Sequence, residues 1–86
     1  MTAKTYNGHK SWNHWNVSLW LNNDQTLYNI IQNQAELAAY LKISHEQALA
    51  YALPALPDTT PDGARITAET VRPVLAEAIR YQIEYS

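Results

Sequence analysis

Apolar residues in the last third of the chain recur at intervals of three or four, the period of an amphipathic helix. They are Val71, Val74, Leu75, Ala78, Ile79 and Ile83. The pattern predicts a C-terminal helix over about residues 70–85, capped by Thr67 or Thr70. Pro73 has no amide hydrogen and suits only the first turn or two of a helix, so we expect a start near Thr70.

The middle of the chain carries the same helical period. Residues 25–33 and 34–42 form either one helix or two helices with a kink near Asn33, and both interpretations stay open. Asp24 is a suitable N-cap, and the preceding asparagines suit a helix end. The run Ser44-His45-Glu46-Gln47 is a capping-box pattern before a short helix, Ala48 to Leu53, which Pro54 ends.

The N-terminal block is apolar on most sides, which is typical of a buried helix. Ser11 is its candidate N-cap, and the helix extends to about Asn22. A strand over Val17 to Leu21 is the competing interpretation because apolar and polar residues alternate there, but Trp20 falls on the wrong face. Before this block, Tyr6-Asn7-Gly8 indicates a turn.

Residues 54–64 are predicted to form a loop rich in proline, with a tight turn at Asp62-Gly63. The elements together predict an all-α fold, a compact bundle of four or five short helices with an irregular N-terminal segment. With 86 residues, we expect one domain over residues 1–86.

Large aromatic residues must supply much of the core of so small a domain. The chain has three tryptophans and six tyrosines but no phenylalanine. We expect Trp15 and Trp20 in the core and Trp12, near the first turn, at a contact surface. Asn16 is expected to be buried, with its amide fastening the Tyr6-Asn7-Gly8 turn to the helix.

Charge and cysteine content narrow the functional classes. Six basic and eight acidic residues give a net charge of −2, which argues against a general nucleic-acid binder. The absence of cysteine fits a reducing compartment. The N-terminus lacks an apolar signal core and no apolar run is long enough to span a membrane, so we expect a cytoplasmic location in the host cell.

No motif for catalysis, a metal or a cofactor stands out. His9 and His14 are five residues apart, which is not the spacing that places two ligands on one helical face. The serines and threonines lie outside any nucleophile motif, and the carboxylates are spread evenly. We therefore expect a protein that is not an enzyme and that binds neither a metal nor a cofactor.

A protein partner is the remaining hypothesis. Acidic residues recur along the last helix and in the loop before it, where they suit a basic partner groove. With the exposed side of the N-terminal segment, they give the predicted partner-binding residues His9, Lys10, Trp12, His14, Asp58, Asp62, Glu69 and Glu77.

The N-terminal signature resembles a family of small proteins carried by phages, plasmids and related mobile elements. It consists of Tyr6-Asn7-Gly8, Trp15-Asn16-Val17, Leu19-Trp20 and Asn23-Asp24 within residues 5–30. The resemblance implies a mobile-element origin and no known chemistry. Small accessory proteins of this kind often bind host machinery, and inhibitors of CRISPR effectors are among them.

The leading hypothesis is therefore an anti-CRISPR-type protein that binds a host defence complex and blocks one of its surfaces. Direct binding of nucleic acid is not expected from the charge. An accessory module that binds nucleic acid is nevertheless an alternative, and it requires Lys4, Lys10 and Lys42 to gather on one face. A structural protein that acts by self-association is a further alternative.

Overall fold

The computed structural model describes residues 11–85, and most of this part of the chain is helical. The elements are α1 (Trp12–Asn23), α2 (Gln25–Leu41), α3 (His45–Ala52), a short 3₁₀ turn (Leu53–Ala55) and α4 (Ala68–Tyr85). Within residues 11–85 the only β-type pairing is one isolated bridge, Thr59 to Arg65. The predicted small all-α domain is confirmed.

The start of α1 is set by local hydrogen bonding. The Ser11 hydroxyl accepts a hydrogen bond from the backbone N–H of His14, as the cap prediction requires. Val17 and Leu21 lie four residues apart on one helical face, and both are fully buried, whereas Leu19 is exposed. The alternative of a strand over this segment is therefore wrong.

A single residue, Asp24, joins α1 to α2. Its backbone N–H donates to the Trp20 carbonyl at 2.9 Å, which closes the last turn of α1. Its carboxylate accepts from the Leu27 N–H at 3.0 Å and so caps α2. Helix α2 then continues without a break through Asn33, so one helix, not two, occupies this region.

The capping box before α3 is confirmed. Ser44 Oγ accepts from the Gln47 N–H at 3.1 Å. In return, the Gln47 side-chain oxygen accepts from the Ser44 N–H at 3.3 Å. The helix begins at His45 and ends at Ala52, and Pro54 lies in the 3₁₀ turn that follows.

Helix α4 starts two residues before the expected position near Thr70, and of the two predicted caps the structure has Thr67. The helix begins at Ala68, with the Thr67 hydroxyl accepting from the Thr70 N–H at 3.3 Å. Pro73 consequently lies inside the helix. Its missing N–H leaves the Glu69 carbonyl without a helical partner. Because Glu69 and Pro73 are both exposed, solvent can hydrate that carbonyl, which makes the position tolerable.

The core lies where α2 and α4 pack together, with α1 and α3 against them. Leu21, Ile31, Leu75, Val17 and Val71 are its largest fully buried apolar side chains. The buried loop residues Leu56, Ala64 and Ile66 join the same cluster. The loop between α3 and α4 is therefore packed as part of the fold.

Candidate functional site

The signature on α1 holds the loop before α4 through one carboxylate. Asp62 Oδ2 accepts a hydrogen bond from Asn16 Nδ2 and another from Trp20 Nε1, both at 2.9 Å. Asn16 and Trp20 are four residues apart, so a helix places them on one face. We call this arrangement, completed by Thr60, the Asn16–Asp62 clamp.

Thr60 completes the clamp from inside the protein. Its hydroxyl donates to Asn16 Oδ1 at 2.6 Å and accepts from the Ala64 N–H at 3.1 Å. Asn16 is buried, as expected. Its described partners are Thr60 and Asp62, whereas the turn at Tyr6-Asn7-Gly8, which we expected it to hold, lies outside the described residues.

A tight turn positions Asp62 for these contacts. The Thr60 N–H donates to the Ala64 carbonyl at 2.8 Å, and the Gly63 N–H donates to the Thr60 carbonyl at 2.9 Å. Gly63 has a φ of 93°, a left-handed conformation that favours glycine. The predicted turn at Asp62-Gly63 is thus confirmed, and it directs the Asp62 carboxylate towards α1.

The two donors stabilise the charged form of Asp62. The hydrogen bonds from Asn16 first, and then from Trp20, lower the pKa of the Asp62 carboxyl below its ordinary value. Burial opposes this shift only weakly, because the carboxyl lies at the surface. The clamp is therefore a charge-assisted contact that depends on an ionised aspartate.

The tryptophans divide between packing and exposure. Trp15 and Trp20 are half-buried instead of fully buried, and Trp20 packs against the core while its N–H reaches Asp62. Trp12 continues the row formed by Asn16 and Trp20 one turn earlier. It does not take part in the clamp, and its side chain is 38% exposed.

The predicted contact residues near the start of α1 other than Trp12 are His9, Lys10 and His14. His14 is buried, with its ring nitrogen Nδ1 2.9 Å from Ser11 Oγ, so its predicted exposure is wrong. In this structure little of the His14 side chain is available to a partner. His9 and Lys10 lie outside the described residues.

The acidic residues do not form one unpaired stripe. Asp58 and Glu69 are exposed. Asp62 is engaged in the clamp, and Glu77 forms an ion pair with Arg80 at 3.3 Å. Arg80 also approaches Glu84 at 3.9 Å, as the helical spacing predicts. Within residues 11–85, the carboxylates of Asp58 and Glu69 take part in neither the clamp nor the ion pairs.

A solvent-exposed ion pair between Arg72 and Glu46 also joins α3 to α4. Arg72 donates to both oxygens of Glu46, from Nε at 2.9 Å and from Nη2 at 3.2 Å. This bidentate contact lowers the pKa of the Glu46 carboxyl and raises the pKa of Arg72. The pair lies 26 positions apart along the chain, and helical periodicity gave no signal for it.

A groove at the C-terminal ends of α2 and α4 was not predicted. Its volume is about 1150 Å³, and its lining includes the apolar residues Leu37, Tyr40, Ile43, Ile79 and Ile83. Tyr40 is 85% exposed and Ile83 is 64% exposed. We call it the α2–α4 groove.

The sequence did carry a signal for this groove. On α2 the buried face consists of Leu27, Ile31, Ala35 and Ala38. Leu37 and Tyr40 are apolar but lie off that face, which leaves them on the surface. Apolar residues that exceed one helical stripe are the pattern to look for.

No group of three or more histidine, aspartate or glutamate side chains within residues 11–85 is arranged to hold a metal ion. Among the described helices, none has the length and apolar character needed to cross a membrane.

The chain is a small all-α protein whose N-terminal signature is built into a structural clamp. It belongs to a family of unknown function, DUF7249, which it matches over residues 2–81. The match therefore extends well beyond the signature in residues 5–30. Comparisons with curated proteins and with solved structures gave no match.

Proposed function

We propose that this protein is a non-enzymatic binding module that inhibits a host defence complex by covering one of its surfaces. The observation that carries the proposal is the position of Trp12. It continues the row of Asn16 and Trp20 on α1, which the clamp fixes, and yet it remains 38% exposed. A large aromatic side chain on a rigid element is a typical anchor of a protein interface.

The clamp adds preorganisation to this surface. It joins α1 to the loop that carries Asp58, so the helix and the loop hold one relative position before a partner arrives. Binding then requires less ordering of the surface, which favours affinity. The exposed carboxylates of Asp58 and Glu69 suit a partner with basic residues near its contact.

The signature directs the choice of partner. Its resemblance to proteins of phages and plasmids supports a defence complex of the host, of the CRISPR effector type, as the first partner to test. Many surfaces of such effectors bind nucleic acid and are basic, which suits the exposed carboxylates of Asp58 and Glu69. Steric blocking of such a surface requires no catalytic group in the inhibitor.

Affinity purification from a lysate that contains the defence complex tests the proposal. The tagged wild type is expected to retain the complex, and Trp12→Ala is expected to retain at least about tenfold less. Tyr28→Ala is the matched control, because Tyr28 is 40% exposed, close to the 38% of Trp12. Equal retention by the two variants, or no defence complex with the wild type, would contradict the proposal.

Charge reversal tests the acidic part of the surface. Glu69→Lys is expected to weaken binding and to reduce its salt dependence, because an attractive charge becomes a repulsive one. Glu77→Lys is a less direct test, since Glu77 already pairs with Arg80. Unchanged affinity and salt dependence in Glu69→Lys would remove the acidic residues from the interface.

A further inference from the structure

We infer that the α2–α4 groove binds the same groove of a second copy of this chain, so that the protein forms a two-fold symmetric dimer. Trp12 is not among the residues that line the groove, and the inference does not depend on the proposed inhibitor function. It rests on exposed apolar area, on the charges at the groove and on the conformation of one lysine.

The groove carries an exposed apolar patch. Leu37, Tyr40 and Ile83, which line it, are 47%, 85% and 64% exposed. At roughly 200 Å² for each large side chain when fully exposed, they leave on the order of 400 Å² uncovered. The largest apolar patch of a monomeric protein is about 300–600 Å² and is often a binding surface. A standard interface needs about 800 Å² from each partner, so this patch supplies about half.

The charges of the groove favour a second copy over a foreign partner. Glu36 and Lys42 both line it. Under two-fold rotation the same patch meets itself, so Glu36 of each copy can face Lys42 of the other, which gives two ion pairs. A purely basic or purely acidic partner would meet one attractive and one repulsive charge. In residues 11–85 the ion pairs are made by other side chains.

The backbone at Lys42 supports the same conclusion. Lys42 ends α2 with a φ of 57°, the left-handed conformation that glycine most often adopts at this position. A lysine here costs conformational energy that a glycine avoids. The lysine places an ammonium group beside the groove, whereas a glycine has no side chain that could form an ion pair there. An interfacial ion pair explains the presence of the lysine.

Sedimentation equilibrium of the full chain, from about 1 to about 200 µM, tests the inference. We expect a reversible equilibrium between monomer and dimer in the wild type. Leu37→Glu is expected to be monomeric over the whole range, with an unchanged helical far-UV circular dichroism spectrum. Tyr51→Glu is the matched control, because Tyr51 is 63% exposed and does not line the groove, and it should dimerise as the wild type does.

A charge exchange tests the predicted pairing. Glu36→Lys and Lys42→Glu should each weaken dimerisation at least about tenfold, and the variant carrying both changes should recover most of that loss. A wild type that stays monomeric, a Leu37→Glu variant that still dimerises, or a double variant no stronger than the single ones would overturn the inference. If Leu37→Glu instead abolished capture of a host protein by a monomeric wild type, the groove would belong to that foreign partner.

Discussion

The Asn16–Asp62 clamp and the α2–α4 groove lie on the same small domain but differ in how far their side chains are satisfied by contacts within the protein. At the clamp, polar groups of α1 and the loop satisfy one another, and the contacts span 42 to 46 positions of the chain. At the groove, apolar side chains remain exposed beside two opposite charges. A conspicuous sequence motif can therefore serve the fold, while an ordinary helical segment carries the exposed apolar surface.

The comparison predicts unequal effects on stability, and the largest concerns Trp20→Ala. The substitution removes core packing and a donor to Asp62, so we expect a loss of about 2–4 kcal/mol in the free energy of unfolding. Tyr40→Ala, in the groove, should change it by less than about 0.5 kcal/mol. Urea unfolding at low micromolar concentration measures both without a contribution from dimerisation. Similar losses of unfolding free energy in the two variants would show that the clamp contributes no more to stability than the groove does.

Asn16→Ala examines the buried half of the clamp. It leaves the Thr60 hydroxyl without its acceptor and Asp62 with one donor fewer, so we expect a loss of about 2–3 kcal/mol. A double-mutant cycle with Thr60→Val should show that the two losses are not additive, because both side chains belong to one network. Additive losses would show that Asn16 and Thr60 act independently of each other.

The smallest effect concerns the ionisation of Asp62. Its folded pKa is lowered, so its contribution to stability is present above the ordinary pKa of 3.8 and is lost as the pH falls through the folded value. At pH 7, Asp62→Asn should have a lower Tm than the wild type. The difference should shrink below about pH 4, because the wild type then loses the same charge.

A control separates this effect from that of Glu46, whose pKa is also lowered by its contact with Arg72. Glu46→Gln removes that second acid-sensitive contact and leaves the clamp intact. In the Glu46→Gln background, the Tm difference that Asp62→Asn causes should still become smaller below about pH 4. A constant difference in Tm from about pH 7 to about pH 2 would show that the charge of Asp62 does not stabilise the fold.

The sequence allowed those parts of the fold to be predicted that depend on neighbouring residues. Ser11, Asp24 and Ser44 cap helices through residues three positions away, so their roles follow from local spacing. Pro73 lies in the second turn of α4, within the predicted limit, but the sequence did not show that Pro73 and Glu69 are both exposed, because exposure depends on the folded protein.

The candidate sites were harder to predict for the same physical reason. Asp62 was expected to face a partner, since nothing near it in the sequence shows that Asn16 lies within hydrogen-bonding distance. The pattern also could not show that His14 turns inward. The exposure of Trp12 was predicted because a tryptophan near a polar helix start has little local packing available to it.

Because a single residue, Asp24, joins α1 to α2, the number of residues between Asn16 and Asp24 determines the direction in which Asn16 points. Because Asp24 both closes α1 and caps α2, the two helices have no linker that could absorb an inserted residue. One residue inserted within α1, between Asn16 and Asp24, would rotate the preceding part of the helix by about 100°. Asn16 would then face away from Asp62, while every amino acid of the signature remained present. Relatives of this protein should therefore accept substitutions in this stretch more readily than insertions or deletions.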